Sequence, residues 1–180
     1  MSTCPIAIKK INRPNTEFIN KALPGFHYSD TFSGVLAADS NHSIESIAKL
    51  FFNSSPQWAR KLLYLRNRLV GWCGLKTRDI PNEELEINLI IGKRIGLFKL
   101  HDFSDDELLF GEDDKHLDVR IIIQRTTRNI QLTTLIQYKK AWGKLYFNII
   151  RIFHQQIIKS QLRNLITQLN YDDLRKGRPG

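Results

Sequence analysis

The stretch from Leu85 to Lys139 constrains the fold most, because its apolar residues recur at the spacing of strands. Short polar or glycine-containing turns, all of hairpin length, separate the successive segments. Neighbouring strands joined in this way form an antiparallel meander. The predicted strands are Leu85 to Ile91, Ile95 to Asp102, Glu107 to Gly111, His116 to Thr126 and Ile130 to Lys139.

A long helix is predicted after the meander, since Ala141 to Leu169 contains one glycine, no proline and a helical apolar period. Upstream, His27 to Ala37 has the loose alternation of a first strand. Ser43 can cap a helix that follows it, and Ser55-Pro56 is a typical start for a second helix ending near Gly71. The sequence therefore predicts an α+β fold. It combines a curved antiparallel sheet of six to seven strands, two short helices after the first strand, and a long C-terminal helix packed on the sheet.

The domain organisation is predicted to be simple. Residues 1–24 contain three prolines and no sustained period, which indicates an extended N-terminal arm. Residues 25–169 then form a single domain, and residues 170–180 form a polar, disordered tail. A chain of 180 residues with 42% hydrophobic content can bury a core without metal or disulfide support.

The cysteines and the apolar runs bear on location. Cys4 and Cys73 lie far apart, without the spacing of a zinc site or the density of a disulfide scaffold, which favours a reducing compartment. No apolar run approaches the roughly 18 residues of a membrane span, and the first residues do not resemble a secretory signal. We therefore expect a cytoplasmic protein with no membrane span.

The net charge of +9 is distributed unevenly. Residues 139–180 hold nine Lys/Arg and two Asp, giving +7, whereas residues 81–120 hold five Lys/Arg and eleven Asp/Glu, giving −6. A basic face of this kind can contact phosphates or anionic lipid headgroups, although a solvated terminal helix has the same composition. Nucleic acid is not expected as a partner, because the interleaved aromatics and glycine-rich loops of common RNA readers are absent from the sequence.

Four strings of residues carry a resemblance to a known family. They are Ala22-Leu23-Pro24-Gly25 with Tyr28-Ser29-Asp30, Trp58 to Lys76, Gly111 to Arg120, and Gly143 to Phe147 with Phe153-His154. Over roughly residues 20 to 166 the chain resembles a bacterial family known as domain of unknown function 2867, in the START-like (SRPBCC) superfamily. The resemblance implies a helix-grip fold, in which the sheet wraps the last helix and leaves a cavity, and a ligand-holding role without an established activity. The chain departs from the family pattern at residues 137–140, Ile152 and Gln155.

One strand carries the residue types of an acid/base site. His116, Asp118 and Arg120 alternate onto one face, where Asp could orient His and Arg could hold an anionic substrate. The alternative is a polar ladder that faces solvent. Glu112, Asp113 and Asp114 could hold a cation, but such clusters usually form turns, so no metal or cofactor is expected. His27, His42 and His101 are isolated in sequence and are predicted to be structural or surface residues, and Cys73 is predicted to be a small buried residue.

The last helix has two apolar faces. The first stripe is the predicted core face and includes Trp142, Leu145, Tyr146, Ile149, Phe153 and Ile157. The second stripe lies opposite, at Ile158, Leu162, Leu165 and Leu169, and needs another cover. A homodimer through these four residues, the preceding helix pair and the N-terminal arm are the candidate covers.

These patterns favour a non-enzymatic domain that binds a small, largely apolar or amphipathic molecule between the sheet and the last helix. Tyr138, Trp142 and Tyr146 are the predicted lining residues, and Arg120 is expected near the polar end of the ligand. One alternative is a hydrolase or lyase that uses His116 and Asp118. Another is an interaction module that uses its last helix on a protein or an anionic surface.

Overall fold

A computed structural model describes residues 6–36, 42–53, 88–95 and 97–176. Within these residues, seven strands form one antiparallel sheet in the order β1-β2-β7-β6-β5-β4-β3, followed in sequence by a long helix. This confirms the predicted α+β class, the antiparallel sheet and the C-terminal helix. In chain order the elements are β1 (Ile8–Ile11), α1 (Glu17–Ala22), β2 (Tyr28–Val35), α2 (Ile44–Asn53), β3 (Arg94–Ile95), β4 (Phe98–Phe103), β5 (Glu107–Asp113), β6 (Leu117–Arg125), β7 (Asn129–Tyr138) and α3 (Ala141–Lys176).

The meander differs from the prediction near its start. Residues 88–91 contain no strand, and the rest of the segment predicted from Leu85 lies outside the described residues. The strand predicted over Ile95 to Asp102 is divided, because Ile95 pairs with Phe98 and the chain therefore reverses between β3 and β4. Sequence periodicity did not reveal this reversal, since both short strands continue the same apolar pattern.

Helix α2 begins where its cap was predicted. The Ser43 hydroxyl accepts a hydrogen bond from the Ser46 amide at 3.2 Å, and Ile47 and Phe51 are buried on the inward side. The second helix predicted from Ser55-Pro56 lies outside the described residues.

The predicted extended arm is wrong for its described part, which forms a strand and a helix. Strand β1 pairs with β2 through its backbone, with Ile8 opposite Gly34, and so extends the edge of the sheet. Thr16 caps α1 by accepting a hydrogen bond from the Ile19 amide at 3.2 Å. Ile19 then packs against the outer face of the sheet, on a small core that includes Leu109, Ile122 and Leu135.

The tail prediction also needs correction, because α3 continues from residue 170 to Lys176. Asp173 accounts for part of this continuation, since its carboxylate lies 2.9 Å from the Nε2 atom of buried His42. The contact joins the end of α3 to the segment just before α2.

The inward face of α3 is the reverse of the predicted one. Its second stripe is buried in the main core against the sheet and α2, through Ile158, Leu162, Leu165 and Leu169. A homodimer through these residues is therefore wrong, because the chain's own core already covers them. Four large side chains of the predicted core stripe are instead exposed, namely Trp142, Leu145, Ile149 and Phe153, and the neighbouring Ile152 is exposed as well.

Gly143 explains why the helix has this orientation. A Cβ atom at Gly143 would lie 2.8 Å from the carbonyl carbon of His116 and closer still to its oxygen. The start of α3 thus approaches the backbone before β6 at a distance that only glycine permits. At ~100° per residue, Phe147 and Ile158 lie on the same side of the helix as Gly143, which directs that side inward.

Strand β6 presents its apolar face to α3. Ile121 and Ile123 belong to the main core together with the buried stripe of α3. Asp118 and Arg120 alternate onto the opposite face, as Ile122 does in the outer core.

Candidate functional site

A cluster of polar side chains lies between the sheet and the first half of α3. Tyr28 and Asp30 alternate onto the α3-facing side of β2, together with the core residue Phe32. Thr134 of β7 is the register partner of Asp30 and therefore lies beside it on the same face. Helix α3 closes the cluster by contributing adjacent residues, His154 and Gln155, which contact the β7 and β2 members respectively.

Asp30 is the centre of the cluster and is only 3% exposed. The Tyr28 hydroxyl donates to its Oδ2 atom at 2.6 Å, and Gln155 Nε2 donates to the Tyr28 hydroxyl at 3.0 Å. Its Oδ1 atom is buried and has no hydrogen-bond donor among the described residues. A buried acceptor without a donor is unfavourable by about 1–3 kcal/mol, so this oxygen is suited to a donor from a bound molecule.

The cluster keeps its tyrosine protonated and its histidine neutral near pH 7. Burial, and then the hydrogen bond that it donates to Asp30, raise the pKa of Tyr28 well above its usual range. Burial lowers the pKa of His154, and the nearby Asp30 opposes this shift only in part. The Nε2 atom of His154 lies 3.3 Å from the Thr134 hydroxyl, so the neutral imidazole keeps a polar neighbour.

Aromatic rings connect the cluster to an open cleft at the end of the sheet. The Phe147 ring packs edge-on against Tyr28 with centroids 4.8 Å apart, and lies 6.1 Å from the ring of Tyr138. Tyr138 also stacks on His27, with ring centroids 5.3 Å apart. The cleft has a volume of about 440 Å³ and is lined by His27, Tyr138, Lys139, Lys140, Ala141 and Lys144.

Arg120 lies away from this region, on the sheet face opposite α3. Its guanidinium pairs with Asp113 at 2.7 Å, and its side chain passes across Gly111. Burial alone would raise the pKa of the Asp113 carboxyl, but the Arg120 hydrogen bond and charge lower it overall. The expectation that Arg120 holds a ligand end between sheet and helix is therefore wrong.

In the part of the chain that the structure describes, no hydrogen bond joins the side chains of His116 and Asp118. Asp118 instead forms an ion pair with Lys139, with 2.6 Å between Oδ1 and Nζ. The backbone carbonyl of His116 accepts from the Lys139 amide at 2.9 Å, next to the close approach of Gly143. The acid/base pair stays a prediction, and its carboxylate already has a cationic partner.

The three predicted lining residues have different environments. Tyr138 lines the cleft, and Tyr146 is half-buried. Trp142 is 70% exposed on the outer side of α3 and cannot line a space between the helix and the sheet.

Sequence reasoning missed the polar cluster itself, although a signal for it was present. The strings Tyr28-Ser29-Asp30 and Phe153-His154 both carried the family resemblance, and they meet at this site. Tyr28 and Asp30 also alternate in phase with Phe32, so the assignment of Phe32 to the core would have placed both polar residues on the inner face.

Two further features concern the described part of the chain. It contains no group of three or more His, Cys, Asp or Glu side chains arranged to hold a metal ion. None of its helices is both long enough and apolar enough to cross a bilayer.

A single antiparallel sheet that carries a long helix, with polar residues buried between them, defines an α+β protein with a candidate binding site on one sheet face. Residues 22–161 match the model of a family described as protein of unknown function DUF2867. The chain belongs to this family, because the match covers most of its length. Comparison with curated proteins and with solved structures gives no match.

Proposed function

We propose that the chain is a START-like helix-grip domain that binds a small, largely apolar molecule between the sheet and α3. The polar end of this molecule carries a hydrogen-bond donor, such as a hydroxyl or an amine, and donates to Asp30. The observation that carries the proposal is the buried Oδ1 atom of Asp30, which has no donor among the described residues. The sequence predicted that the polar end of the ligand lies beside the Arg120 cation. This proposal instead places it beside the Asp30 carboxyl group, which accepts a hydrogen bond.

The surroundings of Asp30 support an apolar body for the ligand. Tyr28, Phe147 and Tyr138 supply ring faces and edges. Ligand sites usually combine apolar and aromatic walls with a small number of placed polar groups, in volumes of roughly 300–1,000 Å³. The adjacent cleft, at about 440 Å³, falls within this range and is lined by Tyr138, whose ring lies 6.1 Å from the Phe147 ring.

The fold supports the helix-grip assignment. Strand β2 pairs with β7 rather than with β3, and α2 and α3 both contribute to the main core on the same face of the sheet. A cytoplasmic location in a bacterial cell belongs to the same proposal. It rests on the family resemblance and on the two widely separated cysteines.

A fluorescence titration with N-phenyl-1-naphthylamine tests the proposal, because this probe is apolar, uncharged and carries one N–H donor. We expect saturable binding of one probe per chain. Asp30→Asn should weaken this binding roughly tenfold, as expected for about 1.5 kcal/mol of hydrogen bonding. Asp105→Asn is the matched control, because Asp105 lies exposed in the turn before β5.

Two results would contradict the proposal. One is the absence of saturable probe binding to the folded wild-type protein. The other is equal affinity of the wild type and of Asp30→Asn, provided that circular dichroism shows both to be folded. The second result would move any binding site away from Asp30.

A further inference from the structure

The cleft at the end of the sheet is bordered by basic side chains from one flank of α3. Lys140 and Lys144 line the cleft and are exposed. Arg151 lies within about 20° of Lys144 on the helical wheel and is therefore on the same flank. None of these three cations forms an ion pair within the part of the chain that the structure describes. The amino end of α3 also lies at the cleft, through Ala141, and adds partial positive charge.

The Arg151 guanidinium extends this basic border towards the aromatic rings. It lies 6.0 Å from the centroid of the Tyr28 ring. Burial raises the pKa of Tyr138, and the positive charge of Arg151 opposes this shift, which agrees with a guanidinium near the Tyr138 hydroxyl. Because Tyr138 is itself a wall of the cleft, all three cations approach the same space.

His27 adds a neutral hydrogen-bond donor to the wall of the cleft. Its Nδ1 atom accepts a hydrogen bond from the Tyr138 backbone amide at 3.1 Å. In a neutral imidazole the other nitrogen, Nε2, then carries the proton. The ring of His27 is also stacked on that of Tyr138, so a hydrogen bond and a ring contact together hold this exposed donor in place.

Acidic side chains near the cleft are engaged elsewhere or buried. Asp118 lies on the opposite face of the sheet and pairs with Lys139, the remaining lysine of the lining. Asp30 is only 3% exposed and accepts a hydrogen bond from the Tyr28 hydroxyl. The sequence from Ile121 to Tyr171 contains no Asp or Glu, so neither β7 nor the first half of α3 brings an acidic group to the cleft. The cleft is therefore suited to an anion.

We propose that the cleft binds the phosphate group of a small phosphate monoester, at a site separate from the one proposed at Asp30. A phosphate monoester carries about 1.5 to 2 negative charges near pH 7 and has three strong acceptor oxygens. Lysine ammonium groups bind phosphate as compact point charges. The separated donors of Lys140, Lys144 and His27 suit three oxygens better than the two of a carboxylate. The volume of about 440 Å³ leaves room for an organic part beside the Tyr138 ring.

Isothermal titration calorimetry of the full chain with phenyl phosphate tests the proposal. At about pH 7.5 this probe is mostly a dianion, so it has no hydroxyl to donate to Asp30. We expect saturable binding of one probe per chain, which weakens as salt rises from about 50 to 500 mM. Lys140→Gln and Lys144→Gln should each weaken binding roughly fivefold, the loss expected for one charge about 4 Å from another in water. Benzoate has the same ring but a single negative charge and should bind more weakly.

Matched controls separate the cleft from general surface charge and from the site at Asp30. The double variant Lys9→Gln, Lys10→Gln removes two exposed charges from β1 and should leave the affinity for phenyl phosphate unchanged. Asp30→Asn should bind phenyl phosphate as the wild type does, so the two proposed sites can fail independently. Circular dichroism checks that each variant is folded.

Four results would overturn the proposal. The first is no saturable binding of phenyl phosphate to the folded wild type. The second is full retention of binding by the double variant Lys140→Gln, Lys144→Gln. The third is loss of binding in folded Asp30→Asn, which would place the probe at Asp30 instead. The fourth is benzoate binding as tight as that of phenyl phosphate, since the cleft would then not select phosphate.

Discussion

The same substitution should cost much more stability on one apolar face of α3 than on the other. Leu162 is fully buried in the main core, whereas Leu145, on the solvent-facing side of the same helix, is 51% exposed. Replacing either leucine with alanine changes helix propensity equally and only slightly. A comparison of Leu162→Ala with Leu145→Ala therefore isolates the effect of burial.

The expected magnitudes are well separated. Removing a buried leucine side chain leaves a cavity and lowers the free energy of unfolding by about 3–5 kcal/mol. For a domain of this size, 1 kcal/mol corresponds to about 2–4 °C in melting temperature, so Leu162→Ala should melt at least roughly 6–12 °C lower. Leu145→Ala loses contacts on only one side and should lower the free energy of unfolding by less than about 1 kcal/mol.

Thermal unfolding followed by circular dichroism at 222 nm, with urea unfolding as a second measure, checks this comparison. Equal losses in the two variants, or a larger loss in Leu145→Ala, would refute the described orientation of α3. The buried polar cluster depends on the same orientation and would then have to be abandoned as well.

Three other variants test individual contacts. Gly143→Ala should lower the melting temperature, because the new Cβ would overlap the backbone carbonyl of His116. This loss should outweigh the helix propensity of alanine, which exceeds that of glycine by about 1 kcal/mol. A higher melting temperature would show that α3 lies farther from the His116 backbone. Tyr28→Phe should lower the free energy of unfolding by about 1–3 kcal/mol in urea titrations, since it leaves an oxygen of Asp30 without its donor. Burial lowers the pKa of His154, so the unfolded chain binds a proton before the folded chain does as pH falls below about 6.5. The melting temperature should therefore fall in this range, and His154→Gln should flatten the profile of melting temperature against pH.

The sheet was the most predictable part of the fold, because the apolar residues of its strands recur at strand spacing in the sequence. Strands β5, β6 and β7 lie within about two residues of their predicted bounds, and hairpin-length turns fix their antiparallel order. Strand β1 could not be found in this way. It has four residues at the sheet edge and is held through backbone pairing with β2, which needs no apolar pattern.

Helix α1 was missed although the sequence contained two signals for it. Thr16 followed by Glu17 is a typical start of a helix. The unbroken apolar run Ile121 to Ile123 also indicated that β6 is buried on both faces, so that something must cover the outer face. Ile19 of α1 supplies part of that cover.

The orientation of α3 determined whether the candidate site could be found at all. A helical wheel gives the angle between two stripes but not which stripe faces the sheet, and both stripes of α3 are apolar. With the stripe from Trp142 to Ile157 taken as the core face, the opposite side of the helix, which carries His154, was predicted to point away from the sheet. Asp30 then had no neighbour on the helix. Gly143 carried the missing information, because a lone glycine in a long helix marks a close backbone approach and lies on the side of Phe147 and His154. Once this side faces the sheet, the histidine meets Thr134, and the buried carboxyl group of Asp30 acquires the surroundings of a binding site.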